Sequence, residues 1–136
     1  MALNEKLPPI KGIYYFSYAC DATILADDGT RSLDPELGGG MYKVSGARLC
    51  TYEGVTPSGY VIDEKWQAND GLVNTYSALV PIGAPSVDYN ADSVTTGIWN
   101  VMPVMRGNHS TLQGGMTKAL NGRIFFVDLL SMINSL

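Results

Sequence analysis

Two segments are apolar at consecutive positions rather than alternate ones: "IYYFSYAC" (13–20) and "GIWNVMPV" (97–104). Both are rich in aromatic and β-branched residues. Side chains that are apolar on both faces fit interior strands of a parallel sheet, which is covered above and below. "PPIKG" breaks any helix before the first segment. Pro103 puts the end of the second near residue 102. The third clear pattern is helical. From Arg123 to Leu136, polar Asp128, Ser131 and Ser135 recur at helical spacing among Ile, Phe, Val, Leu and Met. This predicts a largely buried helix with a narrow polar stripe, and Asn121-Gly122 marks the turn before it.

The chain between these segments has weaker periodicity. "DDGTRSLDPELGGG" reads as loop by composition. "MYKVSGARLCTY" (41–52) fits either a short helix weakened by Gly46 or a loop. "GVTPSGYVIDEKWQANDG" places turns around a possible short strand at Tyr60–Ile62. "PIGAPSVDYNADSVTTG" reads as loop, with Pro81 and Pro85 against regular structure. The order of strand, long excursion, strand, histidine loop and closing helix fits an α/β protein. Two confident strands do not make a stable sheet. The 136 residues therefore read as one unit (1–136) whose apolar faces expect partners.

Composition sharpens this picture. Apolar residues make up 46% and charged residues 16%, against about 25% charged in an average chain. The net charge of −4 and the scattering of nine basic residues argue against nucleic acid, which needs clustered Lys and Arg. "MALNEKLPPIKG" has no continuous apolar signal-peptide core. "RIFFVDLLSMINSL" is too short for a transmembrane helix of about 20 residues. Cys20 and Cys50 could form one bridge or lie as buried thiols. A single histidine cannot complete a zinc cluster, and "GGG" at 38–40 lacks the phosphate-loop pattern, so no cofactor is expected.

The candidate chemistry is an acid followed by that histidine. Asp70 lies in "NDGLVN" (69–74), where Asp-Gly favours a sharp turn. His109 lies in a loop after the second strand, flanked by Gly107 and Gly114-Gly115. In serine hydrolases a carboxylate holds the histidine that activates the nucleophile, and the α/β-hydrolase order is Ser, Asp or Glu, then His. Acids are scattered along the chain, so spacing alone also fits a solvated histidine and an ordinary Asp-Gly turn.

"YYFSY", "EKWQANDGLVNTYSALVPIGAP" and "GIWNVMP", followed by a histidine loop and an apolar helix, resemble the C-terminal part of a bacterial family. That family is the α/β-hydrolase triacylglycerol lipases of staphylococci and thermophilic bacilli. The likeness covers essentially the whole chain and is strongest from Trp66 to Asn100. It implies a partial α/β-hydrolase sheet, with Asp70 as triad acid and His109 as general base. It also implies that the GxSxG serine, oxyanion hole, lid and zinc site belong to an N-terminal half lacking here, since no GxSxG occurs. Two departures stand out. Family members commonly carry an acid just before the histidine, where this chain has Asn108. Some bind calcium through carboxylates soon after it, whereas here none occurs before Asp128. Several oxygen ligands are needed for calcium, so no such site is expected.

Three functions compete. The first is a lipase-like segment that supplies Asp70 and His109 to a serine on a missing or separate chain, acts on ester or lipid substrates, and is inactive alone. The second is a non-catalytic remnant that binds a partner protein or apolar ligand, or self-associates through its exposed edge. The third is a self-standing enzyme using Ser110 or Cys20, which triad geometry disfavours. Trp66, Trp99, Met102 and Met105 read as core packing or as an acyl pocket. Asp27, Asp28, Asp88 and Asp92 read as solvated loop acids or weak cation ligands.

Overall fold

The computed structural model describes residues 7–114 and 120–136. Its main sheet has three parallel strands. The middle strand, β8 (Trp99–Val101), pairs with β1 (Tyr15–Ser17) on one side and β7 (Ser86–Asp88) on the other, aligning Tyr15 and Ser86 with Trp99. After Pro103 the second apolar run resumes as β9 (Met105–Arg106), parallel to β2 (Cys20–Asp21). Both apolar segments are thus strands interrupted by a short break. β8 is interior, as its two-sided apolarity demands, but β1 ends the sheet on its outer side.

Two segments that read as loop carry strands. Thr23–Leu25 (β3) and Arg31–Leu33 (β4) form an antiparallel hairpin. Its Asp28-Gly29 turn is closed by the Ala26 N–H donating to Thr30 O at 2.9 Å. An Asp-Gly pair is a recognised hairpin signal, hidden here by strands only three residues long. Pro85 does not prevent β7. It precedes the strand, and its carbonyl accepts the Trp99 N–H at 3.0 Å. An edge strand tolerates proline at its start, and all three β7 residues are exposed. Gly54–Val55 (β5) and Val61–Ile62 (β6) make a second small hairpin.

Three α-helices, α1 (Tyr42–Leu49), α2 (Thr75–Leu79) and α3 (Gly122–Asn134), and two short 3₁₀ helices (Glu64–Trp66 and Thr111–Gln113) complete the described structure. The ambiguous 41–52 segment is therefore mostly helix. Gly46 serves packing there, because a Cβ would lie 2.7 Å from Leu33 Cδ2 and 3.0 Å from Asn69 Oδ1. Asn121 caps α3, its side chain accepting from the Arg123 and Ile124 N–H groups. The expectation of a largely buried helix is corrected: no residue of α3 is buried. One stripe (Phe125, Leu129, Met132) faces Tyr18, Met102 and Met105 across an open cavity of about 400 Å³. The opposite stripe (Ile124, Val127, Leu130) is exposed, Leu130 at 60%. Nothing within the described residues covers it.

The core is small and lies beside β2. Ala19, Cys20, Ala22, Leu37, Cys50 and Trp66 are buried there. Trp66 meets Tyr60 and Tyr76 edge to face, so it packs as core. Both cysteines are free and buried. Among the described residues, no helix is long and apolar enough to cross a membrane.

Candidate active site

β2 is the spine of the site. Successive backbone groups of a strand point to opposite edges. The Ala19 and Asp21 carbonyls accept from Met105 N–H (2.9 Å) and Gly107 N–H (3.1 Å), which fixes β9 and the loop after it. The intervening groups face Asp70's loop. Ala22 N–H donates to Asn69 O (2.8 Å), and the Thr75 hydroxyl donates to Cys20 O (2.7 Å). One two-residue strand therefore carries the acid's loop on one edge and the histidine's loop on the other.

The acid's loop is set by its own asparagines. Asn69 is fully buried; its amide donates to Gln67 O (2.9 Å) and Gly46 O (3.3 Å), and its Oδ1 accepts from Gly71 N–H (2.9 Å). Asn74 donates to Trp66 O. Gly71 has φ +99°, and a Cβ there would sit 2.6 Å from Tyr42 Cβ. Both the left-handed backbone and the close approach require glycine. The result aims Asp70 inward, 9% exposed. Its Oδ1 accepts from the Leu72 and Val73 N–H groups (2.9 and 2.8 Å), leaving Oδ2 for another partner.

That partner is His109, whose Nδ1 lies 2.8 Å from Asp70 Oδ2. An ionised carboxylate only accepts, so Nδ1 carries the proton. The His109 backbone N–H also donates to Asp70 O at 2.8 Å. The imidazole is 39% exposed, and no described residue bonds its Nε2. This tautomer leaves Nε2 able to accept a proton, with a carboxylate placed to stabilise the resulting cation.

Asn108 shapes the turn into His109. Its amide donates to Leu37 O (2.9 Å), and its Oδ1 accepts from Ser110 N–H (3.0 Å). Arg106 braces the same loop from below, donating to Asp21 O, Thr23 O and the Asp34 carboxylate. Asp34 lies below the usual carboxylate range, chiefly through the Glu36 N–H, with Arg106 assisting. Sequence reasoning noted Asn108 only as a departure from an acid, and did not single out Asn69, Arg106 or Asp34. Their one local signal is an asparagine immediately before each of Asp70 and His109.

Neither in-chain nucleophile is poised. Ser110 Oγ is hydrogen-bonded to Tyr42 Oη, not to the imidazole. Burial, aided by the Asp70 charge, raises the Cys20 thiol to about 11, leaving little reactive thiolate near neutral pH. Asp28 closes its own turn by accepting from Thr30. Among the described residues, no three metal-ligating side chains gather; residues 115–119 after the histidine lie outside that description.

No family model and no curated protein matches the sequence. Solved structures do match. The chain superposes on the Staphylococcus hyicus lipase with TM-score 0.74 and 25% identity over 98% of its length. For EstA from Clostridium botulinum the values are 0.81, 26% and 99%. For lipase 1 from Pelosinus fermentans they are 0.72, 25% and 91%. The chain is lipase-like. It spans about a third of the length of each of these proteins (33%, 32% and 33%).

Proposed function

We propose that this chain is the C-terminal portion of an α/β-hydrolase carboxylic-ester hydrolase, providing its acid and general base. The observation carrying this is the 2.8 Å contact between Asp70 Oδ2 and His109 Nδ1, in a chain whose structural neighbours include bacterial lipases. His109 Nε2 takes the proton of an attacking serine and returns it to the leaving alcohol, while Asp70 holds the tautomer and stabilises the imidazolium. The serine and its oxyanion donors come from a segment outside this sequence. The open side of β1 is the place in the sheet where a further strand would join.

The test is hydrolysis of p-nitrophenyl esters. The purified chain gives no rate above a His109→Ala control. Joined to an N-terminal segment carrying a GxSxG serine, it hydrolyses the ester, and His109→Ala then lowers kcat by about 10⁶. A product burst from the chain alone, abolished by His109→Ala, would overturn the external nucleophile.

The exposed Ile124–Val127–Leu130 stripe favours a second reading, a non-catalytic lipase-like module that binds a partner or itself. It predicts association without hydrolysis even when a GxSxG-bearing segment is supplied.

A further inference from the structure

We propose that Tyr42 is a positioning residue that clamps the loops of Asp70 and His109 into register; this rests on the acid–base reading above. Tyr42 opens α1 and is buried. Its ring base lies under Gly71, the residue after Asp70, at a separation that excludes any side chain there. One turn on, the Ser45 hydroxyl donates to Gly71 O at 2.6 Å. At the far end of the ring, Tyr42 Oη is hydrogen-bonded to Ser110 Oγ, the residue after His109. One rigid side chain thus spans from the acid's loop to the base's loop. It meets each at the residue following the functional one, and hydrogen-bonds neither carboxylate nor imidazole.

This geometry gives the aromatic ring a task beyond filling space. The Asp70–His109 hydrogen bond depends on two loops brought together from 39 residues apart. β2 fixes where each loop begins; Asn69 and Asn108 hold the Gly71 and Ser110 N–H groups separately, and Tyr42 ties these two positions to one another. Removing the hydroxyl keeps the ring on Gly71 and releases the Ser110 side chain, so the His109 turn is held only by its backbone bonds to Asn108 and Asp70 and the imidazole swings more widely against its acceptor. Ser110 is thereby assigned to the clamp rather than to nucleophilic attack.

The test exploits the single histidine. Long-range ¹H–¹⁵N spectra of the intact chain report the ratio of Nδ1–H to Nε2–H tautomers of His109 directly. Tyr42→Phe is expected to lower that ratio about fivefold, the size of one neutral hydrogen bond. Ser110→Ala should lower it equally, and the double variant no further, as expected for two ends of one link. Ser110→Thr, which keeps a hydroxyl, should restore it. Asp70→Asn serves as reference and should lower the ratio most. If Tyr42→Phe and Ser110→Ala both retain the parent ratio while Asp70→Asn loses it, the clamp is overturned and the acid–base pair stands. If Asp70→Asn retains the parent ratio, the pair itself is overturned and the clamp with it. Amide spectra of β7 and β8, in the separate three-stranded sheet, check that each variant is folded.

Discussion

Asp70 and His109 are joined twice, once between side chains (Oδ2 to Nδ1) and once between backbones (His109 N–H to Asp70 O), each at 2.8 Å. The backbone bond does not depend on side-chain identity. Asp70→Asn should therefore keep the loops in contact, and Oδ1 can still accept from Leu72 and Val73. Asp70→Ala removes that acceptor and strands both donors. Urea unfolding should show a loss of about 2–4 kcal/mol for Ala and roughly 1 kcal/mol for Asn. Equal losses would mean that the carboxylate does not organise its own turn.

Gly71→Ala should be far more damaging than Gly59→Ala. Both glycines have positive φ, but an added Cβ at Gly59 meets open space and at Gly71 meets Tyr42. A left-handed alanine alone costs about 1–2 kcal/mol, and overpacking adds roughly 1–3 kcal/mol. Thermal melting of the two variants side by side makes the comparison.

Asn108→Asp tests the departure from the acid common in the resembling lipases. An ionised aspartate cannot donate to Leu37 O and would put a buried charge beside a carbonyl. The expected loss is about 2–4 kcal/mol at neutral pH, easing as acid protonates the new carboxyl and restores a donor. A variant as stable as the parent at pH 7 would show that the amide bond to Leu37 is dispensable.

Cys20 links stability to alkaline pH. Its thiol lies at about 11 in the folded chain, against an ordinary 9.0, through burial and then the Asp70 charge. The raised value favours the protonated, folded form. The stabilisation is complete below pH 9 and is lost as pH rises from 9 towards 11, by about 3 kcal/mol at most. Cys20→Ala should flatten that decline in urea titrations between pH 8 and 11. At pH 8, thiol reagents should label the folded chain far more slowly than the urea-unfolded one.

The exposed stripe of α3 should drive self-association. Val127→Gln with Leu130→Gln should move sedimentation of the isolated chain toward monomer, with a stability change within about 0.5 kcal/mol, as at other surface sites. Leu129→Ala, on the stripe facing Met102 and Met105, should instead destabilise without altering association.

What was legible in the sequence follows the range of the forces involved. The lone histidine and the Asp-Gly turn are local signals, and both led to the pair that the fold brings together. The two-sided apolarity of 97–104 likewise marked β8 as interior. The β3–β4 hairpin and β7 were missed because strands of three residues carry almost no periodicity, and those of β7 are all exposed. The burial predicted for α3 failed because apolarity states what a helix can bury, not what is present to bury it. The role of Tyr42 and the hydrogen-bond partner of Asn108 were invisible because the groups they meet are far along the chain. Tyr42 meets Ser110 across 68 residues and Asn108 meets Leu37 across 71. A buried polar residue declares no partner in its own neighbourhood.

The pairing of β1 with β8 has a kinetic consequence. The Asn100 amide reaches the Tyr15 carbonyl across 85 residues of chain, and the sheet is parallel, so no short turn can nucleate it. Closing so long a loop precedes any reward from the contacts it allows, which places this topology among slow folders. The two hairpins pair residues close in sequence and are expected to form first. The imidazole meets its carboxylate only once both ends of the chain have come together, making that contact a late reporter of refolding.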